Sequence, residues 1–176
     1  MSDSPQYFIE PLDVARHRRE QFECEWPELT NFLQKRARKE MDSRASACFV
    51  LVAASDLGRI VGYYTLSQTS VRSQKLPEAV TKKLPRYPEL GATLIGRLAR
   101  DIEWRGKGIG PLLLVDALRR SVRLSAEVGA VVVVTDPKDQ KARAFYQGYG
   151  FVALDERRMF IPMKELMERE AKGWIA

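Results

Sequence analysis

The chain has very little of what most catalytic and metal centres are made from. Of its 176 residues one is histidine, His17, and two are cysteine, Cys24 and Cys48. A zinc site built on two or three histidines is therefore excluded, and so is a four-cysteine site. A Ser–His–Asp triad would have to recruit His17, which sits in the charged stretch Arg16-His17-Arg18-Arg19. An enzyme of this composition must draw its acid and base from Tyr, Asp, Glu, Lys, water or the backbone. Long apolar runs are missing as well. The longest aliphatic one, Ala130 to Val134, falls far short of the roughly 20 residues of a membrane span. Met1-Ser2-Asp3-Ser4-Pro5 shows no basic region followed by an apolar one, so no secretory leader is expected there. Low cysteine usage fits a reducing compartment. The expectation is a soluble, cytoplasmic protein with no metal and no membrane partner.

What is present is an ordinary globular balance, 45% hydrophobic and 30% charged, which excludes wholesale disorder. The length suits one domain with a core that needs no covalent or metal staple. The net charge of +6 fits either a basic enzyme with an anionic cofactor or a nucleic-acid substrate, and charge alone does not choose between them.

Residues 9–45 read as helical, with Pro11, Asp13 and Pro27 as start signals. Leu29, Phe32, Leu33, Arg36 and Ala37 follow the spacing of one amphipathic face. Lys35, Arg36, Arg38 and Lys39 form a basic cluster that is either a solvated face or a contact to phosphates. Cys48–Ala53 and Ile60–Leu66, separated by the turn signal Ser55-Asp56-Leu57-Gly58, read as a hairpin. Glu78–Lys83 is a short helix candidate, and Ala92–Leu98 a strand. Residues 111–128 are a strong helix, with Asp116, Arg119, Arg120, Arg123 and Glu127 on its wet stripe. Then come strand Ala130–Thr135, helix 138–148, and strands Phe151–Leu154 and Met159–Met163. The pattern is mixed α/β.

The densest signal is Trp104-Arg105-Gly106-Lys107-Gly108-Ile109-Gly110, between a strand and the long helix. Three glycines in five residues let backbone N–H groups approach a ligand and adopt positive φ. The helix start, at or just after Gly108, adds unpaired N–H donors and a partial positive charge, and Arg105 and Lys107 add full ones. The segment reads as a pyrophosphate site. It is neither a P-loop, since Gly106-Lys107 is followed by Gly108, nor a dinucleotide fingerprint, since Pro111 stands where the last glycine belongs.

Arg105-x-x-Gly108-x-Gly110 resembles the acyl-CoA signature of the GCN5-related N-acetyltransferases. Downstream, Asp139-x-x-Ala142-x-x-Phe145-Tyr146-x-x-x-Gly150-Phe151 resembles that family's second motif, with Asp139 where Asn is usual. Further segments are similar to the acetyltransferase toxins of bacterial toxin–antitoxin modules: Ile60–Leu66, Leu84-Pro85-Arg86-Tyr87-Pro88, Ile95-Gly96-Arg97-Leu98-Ala99 and Arg158–Met163. The resemblance implies an α/β single-domain fold whose central mixed, mostly antiparallel sheet is flanked by helices. It divides the chain into N-terminal helices (1–45), an acyl-CoA-binding core (46–163) and a C-terminal tail (164–176). It implies acetyl-CoA as cosubstrate, held by Leu98, Ala99, Arg100, Arg105, Gly106, Lys107, Gly108, Ile109, Gly110 and Asp139. Asp lacks the amide donor, so the usual pantetheine contact at 139 is not assured. The acceptor it implies is charged tRNA, the partner a ribbon-helix-helix-type antitoxin, and the assembly a homodimer. Lys35, Arg36, Arg38, Arg86 and Arg97 are the expected tRNA contacts.

Acetyl transfer from a thioester needs a neutral amine, donors for the oxyanion and a proton for the leaving thiolate. Tyr146 is the expected acid, since a phenol near pKa 10 can protonate a thiolate. An α-amine near pKa 8 needs no strong base. Asp101 and Glu103 are the base candidates if one exists, with a structural or solvated role as the simpler reading. The backbone N–H of Leu98 or Ala99 would hold the oxyanion, where the family's strand parts from its neighbour. Cys48 reads as strand core and Trp104 as packing. Two other readings stay open: a relative that acetylates a small amine or a protein N-terminus, and a non-catalytic nucleic-acid-binding or CoA-sensing module.

Overall fold

The computed structural model describes residues 5–174. Met1–Ser4, where no leader is expected, and the last two residues of the expected tail lie outside them. Seven strands form a mixed sheet in the order β1-β2-β3-β4-β5-β7-β6. They are β1 (Tyr7–Pro11), β2 (Ala47–Ala53), β3 (Asp56–Arg72), β4 (Glu89–Arg100), β5 (Val132–Thr135), β6 (Val152–Ala153) and β7 (Met159–Pro162). The helices are α1 (Pro27–Asn31), which runs through a π turn (Phe32–Arg36) into α2 (Ala37–Asp42), then α3 (Glu78–Thr81), α4 (Ile109–Ser125), α5 (Gln140–Gln147) and α6 (Met163–Ala171). The β4–β5 pair is parallel, and the β1–β2, β2–β3, β5–β7 and β6–β7 pairs are antiparallel. Among the described residues no helix is long and apolar enough to cross a membrane.

The chain divides into two compact units, Met1–Ser67 with Gly96–Ala117, and Gln68–Ile95 with Leu118–Ala176. In the first, Phe22, Leu29, Phe32, Leu33, Val50, Ile60 and Tyr63 share a buried cluster. The Tyr63 hydroxyl donates to the Leu29 carbonyl at 2.6 Å and so ties α1 to the sheet. In the second, Val71, Leu90, Ala92, Val132, Val134 and Phe160 form another core.

Three expectations from the sequence are corrected. Residues 9–45 are not all helix: β1 pairs Tyr7 with Ala53 through Pro11 with Phe49, and Pro11 ends an edge strand instead of starting a helix. Residues 164–176 are not a plain tail, because α6 buries Met163 and Leu166, three positions apart on one helical face. Asp116 is not on a merely wet stripe, since it accepts the hydroxyl proton of buried Tyr64 at 2.5 Å. The long helix itself begins at Ile109, where the glycine pattern placed it.

Gly62 on β3 sets how closely α4 approaches. A Cβ there would stand 2.8 Å from Leu113 Cδ1, 3.1 Å from the Ala99 carbonyl oxygen and 3.1 Å from Ile109 Cγ2. Gly62→Ala is therefore expected to destabilise the fold by about 1–3 kcal/mol, the usual cost of overpacking. A urea titration against the parent chain measures it, and an unchanged midpoint would mean that α4 yields freely.

Candidate active site

In the first unit the site is a turn built on one buried carboxylate. Asp101, 1% exposed, follows β4. Its Oδ1 accepts the Glu103 N–H at 2.9 Å and caps the 3-10 turn Ile102–Trp104. Its Oδ2 accepts the Glu23 N–H and an Arg59 Nη2 proton, both at 3.1 Å. Its own N–H donates to the Val61 carbonyl at 2.8 Å. A carboxylate held on so many sides is structural, not a base. Glu103 is exposed and pairs with Arg59 at 3.2 Å.

The chain leaves that turn through Gly106 and Gly108, at φ +75° and +73°, and enters α4 at Ile109. The left-handed conformation at both positions requires glycine. A Cβ built on either would meet nothing within 4 Å, so the turn borders open space. Ile109 is fully buried and anchors the first turn of α4. Lys107 Nζ lies 5.7 Å from the Trp104 ring centroid, and the Arg59 guanidinium carbon 5.2 Å from it. Trp104 thus packs, as expected, between two cations. The sequence did not point to Glu25. Arg105 donates to its Oε1 at 2.6 Å and Arg100 at 3.2 Å, and the Arg105 hydrogen bond, opposed by partial burial, holds the Glu25 carboxyl below its ordinary value. The two arginines expected to meet an anion already share a carboxylate.

The second unit carries Tyr146 on α5. Its side chain is buried, with edge-on contacts to Phe145 and Phe151, each at 5.3 Å between centroids. Burial pushes the phenol above its ordinary pKa, opposed by a hydrogen bond with the Thr135 side chain. The group therefore stays protonated at neutral pH, the state an acid needs. Asp139, which the resemblance placed at the cofactor, opens α5. Its Oδ1 accepts the Ala142 N–H at 2.7 Å as the N-cap of α5. A carboxylate only accepts, and here the helix supplies the donor. The β4–β5 ladder runs from Ala92↔Val132 to Ile95↔Thr135 and stops there, whereas β4 continues to Arg100.

The basic residues fall into separate groups. Arg97 lies 3.6 Å from the Phe32 ring centroid and Arg36 5.7 Å from it, and both pair with Glu40, at 3.7 Å and 3.0 Å. Lys35, Arg38 and Lys39, together with Arg19, line a shallow hollow of about 540 Å3 that also holds Asp42. Arg86 is exposed in the other unit, in the loop before β4. Arg19 and Glu40 were missed because their proximity to the cluster is long-range or depends on the turn of the helix.

The remaining candidates are structural. Burial pushes the Cys48 thiol up to about 12, so it offers no thiolate. His17 is buried, taking the Asp13 N–H on Nδ1 at 2.9 Å and bonding Glu10 through Nε2 at 2.8 Å.

The profile of the acetyltransferase (GNAT) family matches residues 12–151. A probable toxin TacT of Sinorhizobium fredii is 34% identical over 165 residues, 88% of this chain and 90% of that protein. A tRNA-acetylating toxin of Mycobacterium tuberculosis is 34% identical over 125 residues, 71% of this chain and 72% of that protein. A solved structure of AtaT complexed with acetyl-methionyl-tRNAfMet superposes with a TM-score of 0.84 at 26% identity, covering 93% of this chain and 98% of that one. The glycine turn opening α4 and the tyrosine-bearing helix thus stand in a chain that belongs to the GNAT family of acetyltransferases.

Proposed function

We propose that the protein transfers the acetyl group of acetyl-CoA to the α-amine of an aminoacyl-tRNA, as the toxin of a toxin–antitoxin module. The observation that carries the donor side is the Arg105–Gly110 turn, with two positive-φ glycines bordering open space at the start of a long helix. Its N–H groups and helix terminus suit the pyrophosphate. Arg105, Arg100 and Lys107 add charge once Glu25 is exchanged for phosphate. The N–H of Leu98 or Ala99, in the stretch of β4 beyond the end of the β5 ladder, holds the oxyanion. Tyr146 gives its proton to the departing thiolate, and water takes the proton of the amine.

The acceptor side is supported by the relatives named for tRNA acetylation and by the cations of α2, the π turn and β4. Arg97 and Arg36, flanking one aromatic ring, and the hollow around Lys35 and Arg38 are the surfaces assigned to tRNA phosphates, with Arg86 as a further contact. Neutralisation by a ribbon-helix-helix-type antitoxin, homodimerisation and a cytoplasmic setting complete the reading. For the dimer, an apolar hollow of about 1230 Å3 in the second unit, lined in part by Val80, Leu84, Tyr87, Val122, Met163 and Met167, offers a surface to bury. Acetylation of a charged-tRNA pool with labelled acetyl-CoA tests the whole. Label on a polyamine or protein but not on tRNA would replace it with the small-amine reading.

Gly108→Asp places a side chain and a negative charge in the turn. Acetyl-CoA affinity by calorimetry is expected to fall at least about tenfold, and unchanged affinity would remove the turn from the donor site. Tyr146→Phe deletes one hydroxyl, and kcat is expected to fall roughly 10–10⁴-fold, with acetyl-CoA binding kept. Near-normal turnover under conditions limited by chemistry would make Tyr146 a packing residue. Binding of tRNA should weaken with salt by a log–log slope of about −0.7 to −0.9 per phosphate neutralised. Charge reversal at Arg36 and Arg38 should flatten that slope. A free aminoacyl ester should show neither effect, and equal responses of both acceptors would make the helix cluster a solvated face.

A further inference from the structure

Arg97 stands on β4, one residue before Leu98. It shares a face of the strand with Ala99, two positions on, and Ala99 belongs to the buried cluster around Phe32. An apolar residue would suit that face. The arginine there has a side chain only 25% exposed, and its guanidinium carbon lies 3.6 Å from the Phe32 ring centroid. The ring is held in its turn: Phe32 is 1% exposed and stacks with Tyr63 at 6.1 Å between centroids. Arg36, Arg59, Arg100 and Arg105 each donate to a carboxylate within 3.2 Å. Arg97 has no hydrogen-bond partner among the described residues. Its ion pair with Glu40 Oε2 spans 3.7 Å, longer than a hydrogen bond. That oxygen already accepts the Ser46 hydroxyl at 2.8 Å, and Glu40 Oε1 accepts Arg36 at 3.0 Å. None of the Arg97 nitrogens is a buried atom without a partner, so its unspent donors are open to solvent. The side chain is thus fixed by a ring while its whole fork of N–H groups stays available.

From this arrangement we propose that Arg97 determines acceptor specificity by binding the 5′-phosphate of the terminal nucleotide of charged tRNA. The proposal rests on the reading of the protein as an aminoacyl-tRNA acetyltransferase with the oxyanion at the N–H of Leu98 or Ala99. Neighbouring Cα atoms are about 3.8 Å apart. On that reading the Arg97 fork therefore lies within one side chain's length of the carbon that the amine attacks. In charged tRNA the carboxylate of the amino acid is an ester and carries no charge. The ribose follows, and then the phosphate of the terminal nucleotide, the first anion met along the acceptor from the amine. A guanidinium meets two phosphate oxygens at once through parallel N–H groups. One whose place is already set by a ring loses little freedom in doing so. Glu40 is a weak rival, because its oxygens are engaged by Arg36 and Ser46, and Arg97 gives up no hydrogen bond when phosphate arrives. A polyamine or a protein N-terminus presents no phosphate at this distance from its amine. Arg97 thus favours an amine carried on a nucleotide over an amine alone.

The test measures kcat/KM with acetyl-CoA for one aminoacyl group carried on the 3′ oxygen of adenosine, of adenosine 5′-phosphate and of tRNA. It compares the parent chain with Arg97→Gln and Arg97→Lys, and thermal melts establish that each variant is folded. The parent chain is expected to prefer the phosphorylated nucleoside to the bare one by about 10- to 100-fold, the worth of a hydrogen bond between charged groups. In Arg97→Gln that preference should fall below about threefold, because the charge and the fork are both gone. Arg97→Lys keeps the charge without the fork or the stacking, and its preference should be at least about threefold smaller than the parent's. The proposal is overturned if the parent chain uses both nucleosides equally well, or if Arg97→Gln keeps the parent's preference. A lysine variant that matches the parent overturns it too, since a point charge would then suffice. Should Arg97→Gln not fold, Arg97→Met, whose stem still covers Phe32 and whose head donates nothing, takes its place. Acetylation of a polyamine or protein, with none on any of the three aminoacyl acceptors, would instead refute the function on which the proposal rests. That result is distinct from failure of the proposal itself, in which the aminoacyl acceptors are used without regard to phosphate or to Arg97.

Discussion

The buried carboxylate of Asp101 is the constraint on which the glycine turn before α4 depends. It is the point where β4 stops and the chain reverses toward α4. Its oxygens take protons from the Glu103 and Glu23 backbones and from Arg59, while its own N–H holds the Val61 carbonyl on β3. A carboxylate out of water is tolerable only when its lone pairs are met by donors, and here both oxygens are met. The same contacts fix the direction in which the chain enters Trp104–Gly108. The two glycines supply the backbone conformation, but Asp101 determines where that backbone stands. Removing the charge from such a group while leaving its donors buried belongs to the costly class of substitutions, about 3–5 kcal/mol. This is why an acid next to the proposed site is part of the scaffold, and not the base its position suggests.

A second constraint is the short reach of β5. Four residues of parallel pairing are enough to hold it, and its neighbour β4 continues past the last pair. Backbone groups on a strand that outlasts its partner must find other partners. In the reading advanced above, the thioester oxygen and the donor's peptide-like arm are those partners. The reaction then needs little from side chains. On that reading the α-amine would lose its proton readily, backbone N–H groups would meet the oxyanion, and one phenol would meet the thiolate. The near absence of histidine in the sequence is consistent with this chemistry, because nothing in it requires a group that titrates near neutrality.

Local features were legible in the sequence, and long-range ones were not. The helix start at Ile109 follows from Gly108 and Pro111, because a few adjacent residues determine it. β1 was misread because Pro11 and Asp13 are also helix-start residues. What decides the matter is the pairing of Tyr7–Pro11 with a strand about forty residues away. α6 was missed although Met163 and Leu166 carry its spacing, because Met163 was read as the end of the preceding strand and the residues after it as a tail. Hydrogen-bond partners brought together by the fold lie furthest from local view. Glu25 is 80 positions from Arg105, Asp116 is 52 from Tyr64, and Thr135 is 40 from Ile95. Residue type marks such groups as polar, but only the fold brings them together.

Those pairings change what the net positive charge means. The excess of +6 is not a coat of independent cations. Arg105 and Arg100 share Glu25, Arg36 and Arg97 share Glu40, and Arg38 stands 3.8 Å from Asp42. Each of these pairs is at least partly exposed, where an ion pair is worth only about 0–1 kcal/mol. The carboxylate holds the guanidinium in one place without binding it strongly, and a phosphate that presents more charge and more acceptors can take the position over. Arg97 shows how far this goes. Its guanidinium lies against the Phe32 ring, so its plane is fixed whichever anion it faces. A cation already ordered loses less entropy when phosphate arrives than a lysine free in solvent. On the proposed function, carboxylate-held arginines at the turn and on the helix would be surfaces prepared for anions. At both places the same exchange, carboxylate for phosphate, would accompany the arrival of a substrate.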